Sequence, residues 1–194
     1  QKTAYEISTR DWSSDVCSSD LCCCKSLTMD ACLFALLRTI NMTASRNTSN
    51  LPATPEGPSP HIAFIGGGNM ASAIIGGLLK QGVAPTSMTV VEPFEASRDT
   101  LLNQFKVDAI AKADPTLGDA DLVVWAVKPQ NLREAAGQAG PFSPKALHLS
   151  VAAGIRSESL AQWLGSQRIV RAMPNTPALV GLGQTGLYAR SGVS

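Results

Sequence analysis

The sequence predicts an α/β protein built on a doubly wound parallel sheet and preceded by a disordered leader. Three observations carry that expectation. From His61 onward, short apolar runs alternate with segments of helical period. The apolar runs are unbroken rather than alternating, which is the pattern of parallel strands buried on both faces. Residues 1–60 show no sustained period.

The elements follow in order. "HIAFIG" (61–66) is a short apolar run ended by glycine, a buried strand. In "NMASAIIGGLLKQG" (69–82), Met70, Ile74, Ile75, Leu78 and Leu79 recur at helical spacing, with Gly82 as the expected C-terminal cap. "SMTVVEP" (87–93) is a second strand, "EASRDTLLNQF" (95–105) a helix and "VDAI" (107–110) a short strand. "DPTLGDA" (114–120) makes a helical turn. "DLVVWAVKP" (121–129), apolar from Leu122 to Val127, is the strongest strand signal in the chain. "NLREAAGQA" (131–139) is a weak helix and "ALHLSVAAG" (146–154) another strand ended by glycine. "RSESLAQWL" (156–164) is helical, with Ser157 the expected N-cap. "RIVRAMP" (168–174) is the sixth strand, and "QTGLYAR" (184–190) a seventh at an edge.

Before residue 61 the texture is different. Residues 41–60, "NMTASRNTSNLPATPEGPSP", are rich in Ser, Thr, Asn and Pro and read as a linker. Such a segment cannot bury enough apolar area to offset its ordering entropy. "YEISTRDWSSDVCSSDL" resembles a translated sequencing-adapter read, which makes residues 1–21 an artefactual leader and Met42 or Met29 the natural start. The five cysteines (Cys17, Cys22, Cys23, Cys24 and Cys32) all lie in this region. Their crowding in "LCCCK" does not fit zinc-ligand spacing, and a disulfide scaffold would spread its bridges through the fold. They are read as unstructured thiols, and no metal site is expected.

Composition excludes several classes of function. The chain has 16 basic and 15 acidic residues, net charge +1, so no basic surface points to nucleic acid. Aromatic residues make up 5%, too few for base-stacking platforms. No run approaches the roughly 18 to 20 apolar residues that span a bilayer. "ACLFALL" (31–37) is the longest, and no small-residue cleavage site follows it.

In a doubly wound sheet the ligand sits beyond the carboxyl ends of the strands. The first strand is followed by Gly66-Gly67-Gly68-Asn69-Met70-Ala71, which matches the dinucleotide fingerprint G-x-G-x-x-G/A in its required strand-and-helix context. The sheet is therefore expected to be Rossmann-type. Gly66 makes the tight turn, Gly68 lets the backbone approach a pyrophosphate, and Ala71 packs helix on strand. The helix N-terminus offers free N–H groups to the phosphates. Glu92 ends the second strand 24 residues after Gly68, near the place of the acid that takes the adenosine ribose hydroxyls. A carboxylate there repels a 2′-phosphate and leans the reading towards NADH, while Arg98 can offset that repulsion. The expected cofactor is NADPH or NADH. The fourth and fifth strands end in "AVKP" and "VAAG", whose small residues admit a ring close to the backbone. The sixth ends in "MPNTP", where two prolines stiffen a loop that presents Asn175 and Thr176.

Taken together, "FIGGGNMASAIIGGLL", "AVKPQ", "SVAAGI" and "VRAMPNTPALVGLG" resemble pyrroline-5-carboxylate reductase, the last enzyme of proline synthesis. The resemblance runs from His61 to the C-terminus, and "MPNTPAL" is its most specific part. It implies that Ile65, Gly66, Gly67, Gly68, Asn69 and Met70, with Ala126, Val127, Lys128 and Pro129, hold NAD(P)H. It implies that Ala153, Gly154, Pro174, Asn175 and Thr176 line the nicotinamide and substrate pocket. The implied reaction is hydride transfer to the C=N carbon of 1-pyrroline-5-carboxylate, giving proline in the cytoplasm, with no membrane or nucleic-acid partner. One departure stands out: the family often carries an asparagine before the short helix that precedes the fourth strand, and Ala113 stands there.

The sequence offers no catalytic acid, base or nucleophile. His148 lies mid-strand and reads as a packed core histidine, and His61 opens a strand. Members of the resembled family continue into a helical domain that forms the homo-oligomer and grips the substrate carboxylate. Residues 61–194 are thus expected to be its dinucleotide-binding domain, truncated before that helical domain and with little reductase activity alone. Two other readings remain open at this stage. A 3-hydroxyacid or 6-phosphogluconate-type dehydrogenase shares the glycine loop, and a non-catalytic dinucleotide-binding module would bind the cofactor without reducing an imine.

Overall fold

The computed structural model describes residues 60–174 and 185–193. The expectation of a disordered leader therefore falls outside the described residues. Seven strands form one sheet: β1 (Ile62–Ile65), β2 (Met88–Val91), β3 (Asp108–Ile110), β4 (Leu122–Trp125), β5 (Leu147–Ser150), β6 (Ile169–Pro174) and β7 (Thr185–Ala189). Their spatial order is β3-β2-β1-β4-β5-β6-β7. The first six run parallel, and β7 pairs antiparallel with β6 at the edge. The order reverses beside β1, where β2 lies on one flank and β4 on the other. That is the switch point at which a doubly wound sheet opens a crevice for a ligand.

Four helices cover the sheet: α1 (Asn69–Lys80), α2 (Glu95–Phe105), α3 (Pro129–Ala139) and α4 (Ser157–Leu164). Alternation along the strands divides the core in two. Ile62, Phe64, Val90, Leu122, Val124 and Leu149 face one side, packed by Ile74, Ile75 and Leu78 of α1 and Leu101 of α2. Ala63, Ile65, Val123, Trp125 and Ile169 face the other, packed by Leu132 and Ala136 of α3 and Leu160 of α4. Strands apolar on both faces were the basis of the sheet assignment, and both faces are indeed covered. Each such side chain, fully buried, contributes about 1.5 to 3 kcal/mol of transfer free energy.

Helix ends refine the sequence expectations. α1 stops in a Schellman arrangement: the Gly82 N–H donates to the Leu79 carbonyl (3.0 Å) and the Val83 N–H to that of Leu78 (3.1 Å). Gly82 has φ 88°, so glycine is the residue for this place. α3 begins at Pro129, two residues earlier than its apolar pattern indicates, because proline at the first helical position has its φ preset. β4 accordingly stops at Trp125, short of the apolar run. Ser157 does not cap α4. It is the first helical residue, and Arg156 occupies the cap position without a side-chain bond.

The Ser157 hydroxyl instead joins a small cluster that ties β7 to α4. Arg190 Nη1 donates to Ser157 Oγ (3.3 Å) and Glu158 Oε1 (3.1 Å), and Arg190 Nε to Gln167 Oε1 (3.0 Å). The backbone N–H of Glu158, then its neighbours Ser157 and Arg190, hold the Glu158 carboxyl below its ordinary pKa. The Glu158 side chain is 68% exposed, so solvent screens the pair. Glu158→Gln is expected to cost no more than about 0.5 kcal/mol in urea unfolding. A loss above about 1 kcal/mol would show the pair to be better shielded than its exposure indicates.

Beneath the carboxyl ends of the strands lies one polar pair. Trp125 Nε1–H donates to His148 Nδ1 at 3.3 Å, both side chains being buried. The rings are tilted by 40° with centroids 6.0 Å apart. Burial, and then the charge of Arg168, push His148 down to about 4, so the ring is neutral at physiological pH. The sequence reading of a packed core histidine is correct.

Candidate functional site: the carboxyl ends of the strands

Strand polarity brings the candidate residues together. Because β1, β2, β4 and β5 run parallel, Gly66, Glu92, Ala126 and Val151 leave the sheet at the same edge. Each first loop residue still bonds its neighbouring strand. The Gly66 N–H donates to the Val91 carbonyl (2.9 Å), Ala126 to Ile65 (2.9 Å) and Val151 to Trp125 (3.2 Å). The loops thus start from fixed positions.

The glycine loop is shaped by contacts that differ at each of its three residues. Gly66 has φ 97°, and a Cβ there would lie 2.8 Å from the Ala126 carbonyl oxygen and 2.9 Å from Val127 Cγ1. No other residue fits without moving backbone. A Cβ on Gly67 would lie 2.7 Å from Leu101 Cδ1 and 3.2 Å from Cβ and Cγ of Glu92. A Cβ on Gly68 would meet nothing within 4 Å. Gly68 is exposed and is the N-cap of α1, which has no side-chain cap and no acidic residue in its first turn. The first N–H groups of α1 therefore have no side-chain partner and stand at the positive end of the helix dipole. Such a helix start can hold an anion, a dinucleotide pyrophosphate among them.

Glu92 is placed unexpectedly. It is only 7% exposed. Its Oε2 accepts the Gly67 N–H at 2.7 Å, and its Oε1 accepts the Phe94 N–H at 3.0 Å. Arg98 lies over the same turn, its Nη1 donating to the carbonyls of Glu92 (3.0 Å) and Pro93 (2.7 Å). The ring of Phe94 is 73% exposed there. The sequence reading placed Gly67 in the coenzyme loop but not its contact with Glu92, and it missed Leu101. A third glycine at a free position of the fingerprint was the available signal.

The remaining predicted residues fall where the strand ends require. Ile65 is buried at the end of β1, Asn69 is exposed at the start of α1, and Met70 packs partly against the core. Ala126 and Val127 are half-buried, and Lys128 is exposed as the N-cap of α3, with Pro129 next. Ala153 and Gly154 are exposed in the turn after β5, and a Cβ on Gly154 would meet nothing within 4 Å. The Ala152 N–H is held by Ser150 Oγ at 3.3 Å. Pro174 ends β6. Asn175 and Thr176 lie outside the described residues. Ala113, where the resembled family carries asparagine, packs partly buried against the second core face. Among the described residues no three His, Cys, Asp or Glu side chains converge as metal ligands, and no helix is long and apolar enough to cross a membrane.

A sheet of this order with a glycine loop at its switch point defines a Rossmann-type dinucleotide-binding fold. The family described as NADP oxidoreductase, coenzyme F420-dependent, matches residues 61–154. Pyrroline-5-carboxylate reductase of Pseudomonas aeruginosa is 44% identical over 138 residues, which cover 70% of this chain and 50% of the relative. That of Haemophilus influenzae is 47% identical over 139 residues, covering 69% and 49%. The solved structure of the Coxiella burnetii reductase superposes with a TM-score of 0.64 at 36% identity, over 70% of this chain and 51% of that one. Over about 70% of its length the chain is similar to pyrroline-5-carboxylate reductases, and it spans about half the length of the curated relatives it matches.

Proposed function

We propose that this chain carries the coenzyme-binding part of a pyrroline-5-carboxylate reductase, which reduces 1-pyrroline-5-carboxylate to L-proline with NADPH or NADH. The observation that carries the reading is the glycine loop: Gly66 is locked by the Ala126 carbonyl, while a Cβ at Gly68 would meet nothing within 4 Å and α1 starts without a side-chain cap. Gly68, Asn69 and Met70 hold the pyrophosphate through backbone N–H groups. Glu92 stands at the adenosine end. The turn Ala126–Pro129 and the small residues Ala153 and Gly154 give the nicotinamide close access to backbone. Pro174, Asn175 and Thr176 belong to the substrate pocket.

The nicotinamide, when bound, supplies the hydride that reduces the C=N carbon. The protein's part is to bind and orient. No acid among the proposed site residues is needed, because the imine nitrogen can take its proton from water. The whole protein is proposed to be cytoplasmic and a homo-oligomer assembled through a helical domain.

The test is a chimera. Residues 61–194 are joined to the remaining C-terminal half of the Pseudomonas aeruginosa relative, and proline formation is followed with each coenzyme. Turnover comparable to that of the intact relative is expected. A chimera that folds and binds coenzyme but forms no proline would sink the assignment and favour a non-catalytic binding module.

A further inference from the structure

We infer that Glu92 is a positioning residue: it acts as a strut that fixes the glycine loop against the β2–α2 turn, and it serves NADH and NADPH alike. The inference rests on the coenzyme reading above and deepens it. An acid at the end of the second strand is ordinarily assigned to the ribose 2′-hydroxyl, where it discriminates against a 2′-phosphate. The geometry here gives it different work. Both carboxylate oxygens already accept backbone N–H groups, one from Gly67 in the loop and one from Phe94 in the turn. The side chain is 93% buried by its 7% exposure and lies flat on Gly67, whose missing Cβ would sit 3.2 Å from Glu92 Cβ and Cγ. The Gly67 N–H is thereby consumed inside the protein, which leaves the uncapped N–H groups at the start of α1 for a ligand. Arg98 closes the other side of the turn through the carbonyls of Glu92 and Pro93. A carboxylate turned inwards in this way has little reach towards the 2′-position, and a guanidinium lies nearby to compensate its charge.

Two variants separate the strut from the ribose reader. Glu92→Asp keeps the charge but is one methylene shorter and cannot span from β2 to both N–H groups. Gly67→Ala keeps the carboxylate but pushes its stem off the loop, and its methyl also presses on Leu101. Binding of NADH and of NADPH to the full 194-residue chain is measured by calorimetry, and exchange of the Gly67 and Gly68 amides is followed alongside. The strut predicts that each variant weakens both coenzymes by the same factor, about tenfold to a hundredfold for a lost charge-assisted bond. It also predicts faster amide exchange at the loop, with the urea midpoint little changed in Glu92→Asp. Unchanged NADH affinity in Glu92→Asp, or a shift of preference towards NADPH, would overturn it in favour of direct ribose contact. If Glu92→Asp does not fold, Gly67→Ala gives the same readout. Failure of the unmutated chain to bind either coenzyme would overturn the domain's coenzyme reading itself, a different result from any of these.

Discussion

Gly66→Ala is expected to lose about 3 kcal/mol of folding stability, whereas Gly68→Ala should lose almost none and bind coenzyme at least about tenfold more weakly. The two residues are neighbours in one motif, yet their surroundings are opposite. Gly66 sits at φ 97°, a region that costs an L-residue about 1 to 3 kcal/mol. Its new methyl would also press on the Ala126 carbonyl at 2.8 Å and on Val127 at 2.9 Å. The carbonyl oxygen is backbone and cannot swing aside as the end of a flexible side chain can. Gly68 has φ −75° and ψ −172°, ordinary for any residue, and its methyl would enter open space. That space is where the pyrophosphate would lie, so the methyl costs binding rather than folding. Urea unfolding and coenzyme titration on both variants check the pair. Equal losses of stability would show that the loop is rigid throughout and that Gly68 is not a ligand cradle.

The second large effect is on acid stability. His148 is pushed from 6.5 down to about 4, first by burial and then by Arg168. The sign follows from proton counting. Between these two values the unfolded chain binds a proton at His148 and the folded chain does not. Stability is therefore fully present above pH 6.5 and is lost as pH falls through about 4. At about 1.4 kcal/mol per pH unit, His148 alone removes about 3 kcal/mol across that window. A protonated ring would also lose the acceptor that Nδ1 offers to Trp125. His148→Gln keeps an acceptor for the indole N–H and has no such titration. Its stability should be flatter from pH 6.5 to 4 than that of the unmutated chain. Parallel pH curves for the two proteins would show that His148 is not the source of the acid sensitivity.

Much of the fold was legible in the sequence because its signals are local. "FIG", "TVV", "LVVW" and "LHLS" lie in runs of β-prone residues too short for helices, which end, within a few residues, at glycine, proline or a charge. α1 and α4 announced themselves by apolar spacing. The misplaced boundaries share one cause. Apolar character continues past the end of β4 because Ala126 and Val127 are half-buried under the site, so hydrophobicity alone could not mark where pairing stops. Ser157 has the right chemistry for a cap, but its hydroxyl serves Glu158 and Arg190. Arg190 lies 33 residues away, and no local rule reports it.

The site divides in the same way. By itself the sequence determined that a glycine turn joins a strand to a helix and that several small-residue loops follow other strands. Those properties depend on neighbours in the chain, and spacing encodes them. Only the tertiary structure decided which face of the loop is open and which is closed. Gly66 is closed by Ala126, a residue 60 positions on by sequence number, and Gly67 by Glu92 and Leu101, brought in from β2 and α2. The task of Glu92 was decided there too. Which way a carboxylate turns depends on where the unsatisfied N–H groups stand, and the parallel register of β1 on β2 puts that of Gly67 within 2.7 Å.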